Sequence, residues 1–398
     1  MTSNLELTPL PGLPMQRPNK FDPPTELASI RDEQPLRRMV FADGHVGWLA
    51  TGHAEVRAVL GDQRFSSRYE LLHLPYAMGG VSELMPAAPG DLSGVDAPHH
   101  TRYRRLLAGK FTVRRMRQLS ERIEQIVDEM LDAMDRHGSP VDLVTAYAQP
   151  VPAQVICEML GVPLEDRDRF QAHAATMSSL DATEQQLTKA WVEITEYIAG
   201  LVRAKRSDPT DDLLSDMTDS DLTEDELAGL GAFLLGAGLM TTANMIALGF
   251  FALSQHPDQL QAWRADPGIT DQAIEELMRY LTITPITVRA AIEGAEIDGH
   301  LIKAGESVAL SMQAANRDPL RFPDPDTLDL RRNARGQLGF SFGIHQCLGQ
   351  HLARAEMRVA LPALLTRFPT MRLAVPAEDV PMRDDCDIYG VYRLPVEW

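Results

Sequence analysis

The chain reads as a mainly α fold with a minor β part, and three observations carry that expectation. Helical periodicity dominates most of the 398 residues. The few strand-like runs are short and gather in two places, at 39–50 and 288–312. Residues 227–255 form a 29-residue stretch without one charged side chain, far too long for a strand. No Gly/Ser-rich linker and no repeat interrupts the chain, so 1–398 reads as one large domain with 1–24 as an extended, proline-rich arm. At 44% hydrophobic residues it can bury a substantial core.

In chain order, 39–42 and 46–50 flank Asp43-Gly44, a pair favoured in two-residue hairpin turns. Apolar side chains then recur at three- and four-residue spacing over 53–60, 100–107, 113–137, 146–160 and 184–205, each a helix. Residues 66–95 are Gly/Pro-rich and aperiodic, which predicts a long loop, and loops of that length usually carry function. Thr223-Glu224-Asp225-Glu226 is a capping-box pattern that starts the uncharged helix. His256-Pro257 stops it about 32 residues and ~48 Å later at 1.5 Å per residue. A helix over 270–280 precedes strands at 288–292, 295–297, 300–302 and 308–312, with Asp298-Gly299 as a turn. The last helical pattern starts at Leu348 and runs through Ala353, Met357, Leu361 and Leu364.

A formal net charge of −18 argues against general nucleic-acid binding and for a soluble, acidic protein. Cys157, Cys347 and Cys386 are too few and too scattered for a disulfide framework, which fits a reducing cytoplasm. The N-terminus lacks the basic-then-apolar pattern of a signal peptide. The uncharged stretch is long enough to span a membrane. Five glycines, Thr241, Thr242 and Asn244 dilute it, however, and no basic cluster flanks it. A helix buried on all faces explains it better, so no membrane is expected.

The chemistry concentrates around Cys347, in Phe340-Ser341-Phe342-Gly343-Ile344-His345-Gln346-Cys347-Leu348-Gly349. The thiol lies at a predicted helix N-terminus, where unpaired N–H groups and the helix dipole favour the thiolate. Gly343 and Gly349 allow the backbone to approach a flat ligand or aim N–H groups at sulfur. A thiolate so held suits the axial position of a haem iron. A buried free cysteine in a Gly-rich turn is the alternative for this residue taken alone.

The stretch resembles the haem-binding loop of the cytochrome P450 family, the haem-thiolate monooxygenases, whose pattern is Phe-x-x-Gly-x-His-x-Cys-x-Gly. Phe340, Gly343, His345, Cys347 and Gly349 match it, and further segments resemble the family in order along nearly the whole chain. The resemblance implies the cytochrome P450 fold, haem b as cofactor and Cys347 as the ligand to its iron. Ala237-Gly238-Leu239-Met240-Thr241-Thr242 resembles the family's oxygen-binding kink, which assigns Thr241 to bound dioxygen, with Thr242 beside it. From the residues alone, Gly236 and Gly238 serve equally as contacts for a flat cofactor or for helix packing, and Thr241 as a back-bond to its own helix. Met240 departs from the pattern, which carries Asp or Glu there, and cannot relay protons.

Glu276 and Arg279, at i and i+3, would ordinarily be a surface pair worth a few tenths of a kcal/mol. Their spacing resembles the family's Glu-x-x-Arg, a fold determinant. The third partner usual in a Pro-x-Arg-Phe element is missing from Pro325-Asp326-Thr327-Leu328, which leaves Arg331 or Arg332 as substitutes. His100 and Arg104, one helical turn apart, together with Arg289 and His345, match the family's donors to the haem propionates. The resemblance also places Phe233, Ala237, Gly238, Ile286, Val288, Ile388, Tyr389 and the 66–95 loop around the substrate.

From Thr101 to Gln118 there are seven Lys or Arg and no acid, either a solvated face or a docking patch for an acidic electron carrier. With no dinucleotide fingerprint, electrons are expected from a ferredoxin and a ferredoxin reductase. The expected function is oxidation of a small molecule, a secondary metabolite, by hydroxylation with dioxygen. Met240 keeps open oxidative C–C or C–N coupling of an aromatic product. A haem-binding sensor without catalysis is a third class, against which Thr241 and the basic stretch argue.

Overall fold

A computed structural model describes residues 8–78, 84–111 and 113–398, with side chains described throughout these except at 113–118. Near the N-terminus, helix α1 (Thr25–Glu33) precedes the hairpin β1 (Leu36–Val40) and β2 (Val46–Ala50), then α2 (His53–Gly61) and β3 (Phe65–Ser66). The hairpin differs from the expected two-residue turn. Its register ends at Val40 opposite Val46, and Phe41 N donates to His45 O at 2.8 Å. The connection is therefore a three-residue loop, with Gly44 at φ +87°, where a side chain would strain the backbone. Past β3 the chain is irregular to α3 (His99–Ala108), as the aperiodic composition predicts; residues 79–83 of that loop lie outside the described residues.

Helices then dominate: α4 (Val113–His137), the short β4 (Val141–Asp142), α5 (Pro150–Leu160), α6 (Arg167–Ser178), α7 (Glu184–Ser207) and α8 (Leu213–Thr218). The pattern over 146–160 splits, because Pro150 and Pro152 start a new helix and 144–148 form a separate turn. Helix α9 (Glu224–Gln255) runs 32 residues. Thr223 caps it as expected: Glu226 N donates to Thr223 Oγ1 at 3.2 Å, and Thr223 N donates to Glu226 Oε2 at 2.8 Å. Helices α5, α6, α7 and α8 pack on it. The uncharged sequence is thus the central helix of the core rather than a helix facing lipid.

Helices α10 (Pro257–Ala265) and α11 (Thr270–Leu281) also contact α9 and lead into strands β5 (Ile286–Ala291), β6 (Ala295–Ile297), β7 (His300–Ile302) and β8 (Ser307–Ser311). The β6–β7 turn is as expected, with Asp298 at φ +47° and Gly299 at φ +71° between Ile297 and His300. The main sheet runs β1-β2-β8-β5-β3, and only the β2–β8 pair is parallel. After α12 (Met312–Ala315) comes a long segment without regular strands, then α13 (Gln350–Arg367), β9 (Arg372–Leu373) and β10 (Pro395–Glu397), the last pairing with β4 and β9. Helix α13 begins at Gln350, two residues later than its apolar pattern, with Gly349 as its N-cap. It packs on α4, α9 and α11, which brings the loop before it against the middle of the fold.

Candidate functional site

A cavity of about 670 Å³ opens between α9, the loop before α13 and strand β5 of the main sheet. That volume is in the range of sites that enclose a drug-sized ligand. Its lining includes Cys347, Gly349, Phe340 and His345 from the loop. Cys347 N donates to Phe340 O at 2.9 Å, and Gly343, at φ +79°, passes so close to Leu60 O that a Cβ would stand 2.1 Å from it. The loop is folded back on α2 in a path only glycine permits. The Cys347 sulfur faces the cavity with the N–H groups of Gly349 and Gln350 directed at it. Burial pushes this thiol up, while those N–H groups and the nearby Arg104 and Arg354 pull it down. Burial prevails, so the thiol sits above its ordinary value.

His100, Arg104, Arg289 and His345 reach the same cavity. The His100 and His345 rings lie 4.2 Å apart, and Ser67 Oγ meets His345 Nε2 at 2.9 Å. Arg289 donates to Val288 O at 2.7 Å and Thr287 Oγ1 at 3.3 Å, and Arg104 to Gln346 O at 2.6 Å. Neither arginine makes an ion pair among the described residues, and His100 Nε2 is buried without a partner. Burial, more than any neighbour, lowers Arg289 to about 10 and His345 to about 3, the latter helped by Arg289, His100 and Arg104. Two guanidiniums that make no ion pair among the described residues, with two neutral imidazoles beside them, fit a ligand that carries carboxylates at this point. A flat dianionic macrocycle with iron reachable from Cys347, namely haem, satisfies both halves of the site.

Along α9, Phe233, Ala237, Gly238, Thr241 and Thr242 line the cavity. Thr241 Oγ1 donates to Ala237 O at 2.9 Å, so the back-bond is made while the hydroxyl oxygen stays open to the cavity. At Gly238 a Cβ would stand 2.7 Å from Ile156, so helix packing against α5 requires this glycine, whatever else approaches it. Met240 is not among the lining residues; one residue from Thr241 on the helix, it turns to the hydrophobic core. Glu356 of α13, not anticipated from the sequence, comes to the same place. It is fully buried, hydrogen-bonds Thr242, and burial raises its carboxyl to about 8. Its only sequence signal was an acid on the apolar side of the α13 pattern.

Ile286 and Val288 line the cavity as expected, with Tyr69, Leu72 and Leu92 from the 66–95 loop. Ile388 and Tyr389 do not. Tyr389 turns toward the N-terminal arm, donating to Lys20 O at 3.0 Å with Arg17 stacked 3.9 Å over its ring, and the residue that faces the lumen is Asp387.

Glu276 and Arg279 lie outside the cavity and are not a surface pair. Both side chains are 0% exposed and joined by two bonds, 2.7 and 2.8 Å. Arg332 Nε donates to Glu276 Oε1 at 3.1 Å, whereas Arg331 pairs with Asp266. Arg332 is therefore the third partner. Arg279 also donates to Asn316 O and Pro325 O, both at 2.8 Å, which ties α11 to the segment leading to the cysteine loop.

The basic stretch does not form one free face. Arg102 pairs with Glu226, Lys110 with Asp216, and Arg104 enters the cavity; the side chains of Arg114, Arg115 and Arg117 lie outside the described residues.

A family model for cytochrome P450 matches residues 167–392. The chain is 49% identical over 385 residues to cytochrome P450 105C1 of a Streptomyces species, covering 96% of this chain and 97% of that one. It is 42% identical over 392 residues to pentalenic acid synthase of Streptomyces avermitilis, with 97% of each covered. The crystal structure of CYP105P1 in complex with filipin I matches with a TM-score of 0.93 at 40% identity, over 98% of this chain and 99% of that one.

Proposed function

This chain belongs to the cytochrome P450 family and is a haem-dependent monooxygenase, and we propose that the 670 Å³ cavity holds haem b on Cys347 and that the enzyme hydroxylates a small secondary metabolite in the space beside it. The observation that carries the reading is convergence: the Cys347 sulfur, the Arg104 and Arg289 guanidiniums with the His100 and His345 rings beside them, and the Thr241 hydroxyl all open on one cavity. When bound, haem supplies an iron that activates dioxygen with two electrons and oxidises the substrate. His100, Arg104, Arg289 and His345 would hold its propionates, and Phe340 and Gly349 would flank its cysteine side.

The chain's own part is placement and protons. Phe233, Ala237, Ile286 and Val288 offer an apolar wall that orients the substrate and excludes water. Glu356, with its pKa near 8, holds a proton at neutral pH and shares a hydrogen bond with Thr242, the neighbour of Thr241. This carboxyl gives the site a proton donor that Met240 cannot be. With that donor in place Met240 no longer favours oxidative coupling, and hydroxylation is the favoured outcome. Electrons are assigned to a separate ferredoxin and its reductase, in the cytoplasm. The pentalenic acid synthase and filipin I relatives support a natural-product substrate.

The test is the reduced carbon-monoxide complex, which is expected to absorb at the far-red position of thiolate-ligated haem. Retention of that band in Cys347→Ser overturns the ligand assignment.

A further inference from the structure

A second cavity of about 350 Å³ lies under the N-terminal arm and shares Tyr76, Ile286 and Asp387 with the first. At this junction Asp387 is a carboxyl group that makes no ion pair among the described residues. Ser178 Oγ donates to its Oδ1 at 2.5 Å, and the Ile388 N–H is directed at it. No Lys, Arg or His pairs with it among the described residues.

Arg383 acts on Asp387 only through space, and the other cations nearby are engaged elsewhere. Arg383 directs Nη2 to Ser178 Oγ at 3.4 Å and lies 5.0 Å from the Tyr392 ring centroid. Arg17 donates to Asp22 O at 3.1 Å and Gln313 Oε1 at 2.7 Å, stacked on Tyr389. Lys20 donates to the carbonyls of Glu378 at 2.8 Å and Val380 at 2.5 Å. Asp384, in the second cavity, adds a further negative charge.

Gln16, Asn19 and Gln313 make the smaller cavity polar, whereas at the junction Asp387 meets Tyr76 and Ile286. Tyr76 lines both cavities, close enough to Asp387 that the carboxylate helps burial hold its phenol proton, with its pKa raised to about 12. A carboxylate beside an aromatic ring is the arrangement that binds an organic ammonium: the anion supplies the charge and the ring face the cation–π contact. Away from the donors around His345, Asp387 and Glu356 are the carboxyls in the lining, and Glu356 is fully buried behind Thr242. Burial raises the Asp387 pKa, and the hydrogen bonds from Ser178 and Ile388 and the charge of Arg383 pull it the other way.

We propose that Asp387, with Tyr76, is the recognition point for a cationic nitrogen on the substrate, so that the enzyme selects apolar molecules bearing an amine. The apolar body would occupy the larger cavity and the charged nitrogen its junction with the smaller one. This rests on the reading that the larger cavity receives the substrate.

The experiment uses the haem-loaded enzyme and two probes of the same shape: biphenylmethyl-trimethylammonium and its neutral neopentyl isostere. The quaternary nitrogen has no lone pair, so it can neither ligate iron nor titrate. Calorimetric titration is expected to show the cation binding wild type about tenfold or more tighter than the isostere. In Asp387→Asn that advantage disappears while the isostere's affinity stays within about twofold. Ser178→Ala keeps the carboxylate and is expected to preserve or widen the advantage. A cation no tighter than the isostere in wild type overturns the proposal, as does an advantage that survives Asp387→Asn or collapses in Ser178→Ala. Failure of both probes to bind, or loss of the thiolate band, would instead count against the substrate cavity itself.

Discussion

Replacing Arg279 with Met tests whether the buried Glu276 pair holds the cysteine loop in place. Methionine keeps most of the stem's packing but leaves Glu276 at 0% exposure with its main counter-charge gone. Removing one partner of a buried pair costs about 3–5 kcal/mol, because the remaining charge is stranded. Here Arg332 Nε and Asp329 N, both 3.1 Å from Glu276 Oε1, still serve one oxygen, which places the cost near the lower end, about 3 kcal/mol. Arg279 also releases the carbonyls of Asn316 and Pro325, so the segment leading to the loop loosens with it. Arg332→Met should cost less, about 1.5–3 kcal/mol, since it removes charged hydrogen bonds but leaves the bidentate pair intact. Glu276→Gln in the Arg279→Met background removes the stranded charge and should recover part of the loss. Denaturant midpoints by circular dichroism and by the thiolate band of the carbon-monoxide complex measure these changes. Thermal inactivation half-lives should accompany them, because large proteins often unfold irreversibly. An Arg279→Met enzyme within about 0.5 kcal/mol of wild type would refute the reasoning, since no buried charge would then have been stranded.

Glu356 binds its proton more tightly when folded, with its carboxyl raised from 4.5 to about 8. Its protonation therefore stabilises the fold fully below the ordinary carboxylate range, and that contribution is lost as pH rises to about 8. Between about pH 5 and 8.5, wild type should lose up to roughly 5 kcal/mol relative to Glu356→Gln, read from paired denaturation curves; parallel curves would show the carboxyl is already charged. Arg289→Leu should release haem faster to an acceptor apoprotein, by roughly 10- to 150-fold for a charge-assisted bond of about 1.5–3 kcal/mol, with the thiolate band kept until release. An unchanged transfer rate would remove Arg289 from the propionate set.

Short-range chemistry was legible in the sequence. The Thr223 capping box, the Asp298-Gly299 turn and the proline stop at 257 act within a few residues, and α9 and the β6–β7 turn match them. The cysteine loop is equally local, because close backbone approach and the ligating atom occur within ten consecutive residues, Phe340 to Gly349. Relations between distant segments required the tertiary structure. Spacing put Glu276 and Arg279 on one helix face and the resemblance made them a fold determinant, but neither says what covers them; the segment from 316 to 332 buries both. Met240 occupied a meaningful position in the pattern, yet helix rotation turns it to the core, while Glu356, more than a hundred residues away, meets Thr242. Likewise Asp387 rather than Tyr389 faces the lumen, since the N-terminal arm captures the tyrosine through Arg17 and Lys20. Sequence determined which groups the chain possesses and how each local segment folds. Which of those groups share a cavity, and which lose their solvent and their counter-charges there, was decided by packing between segments far apart in the chain.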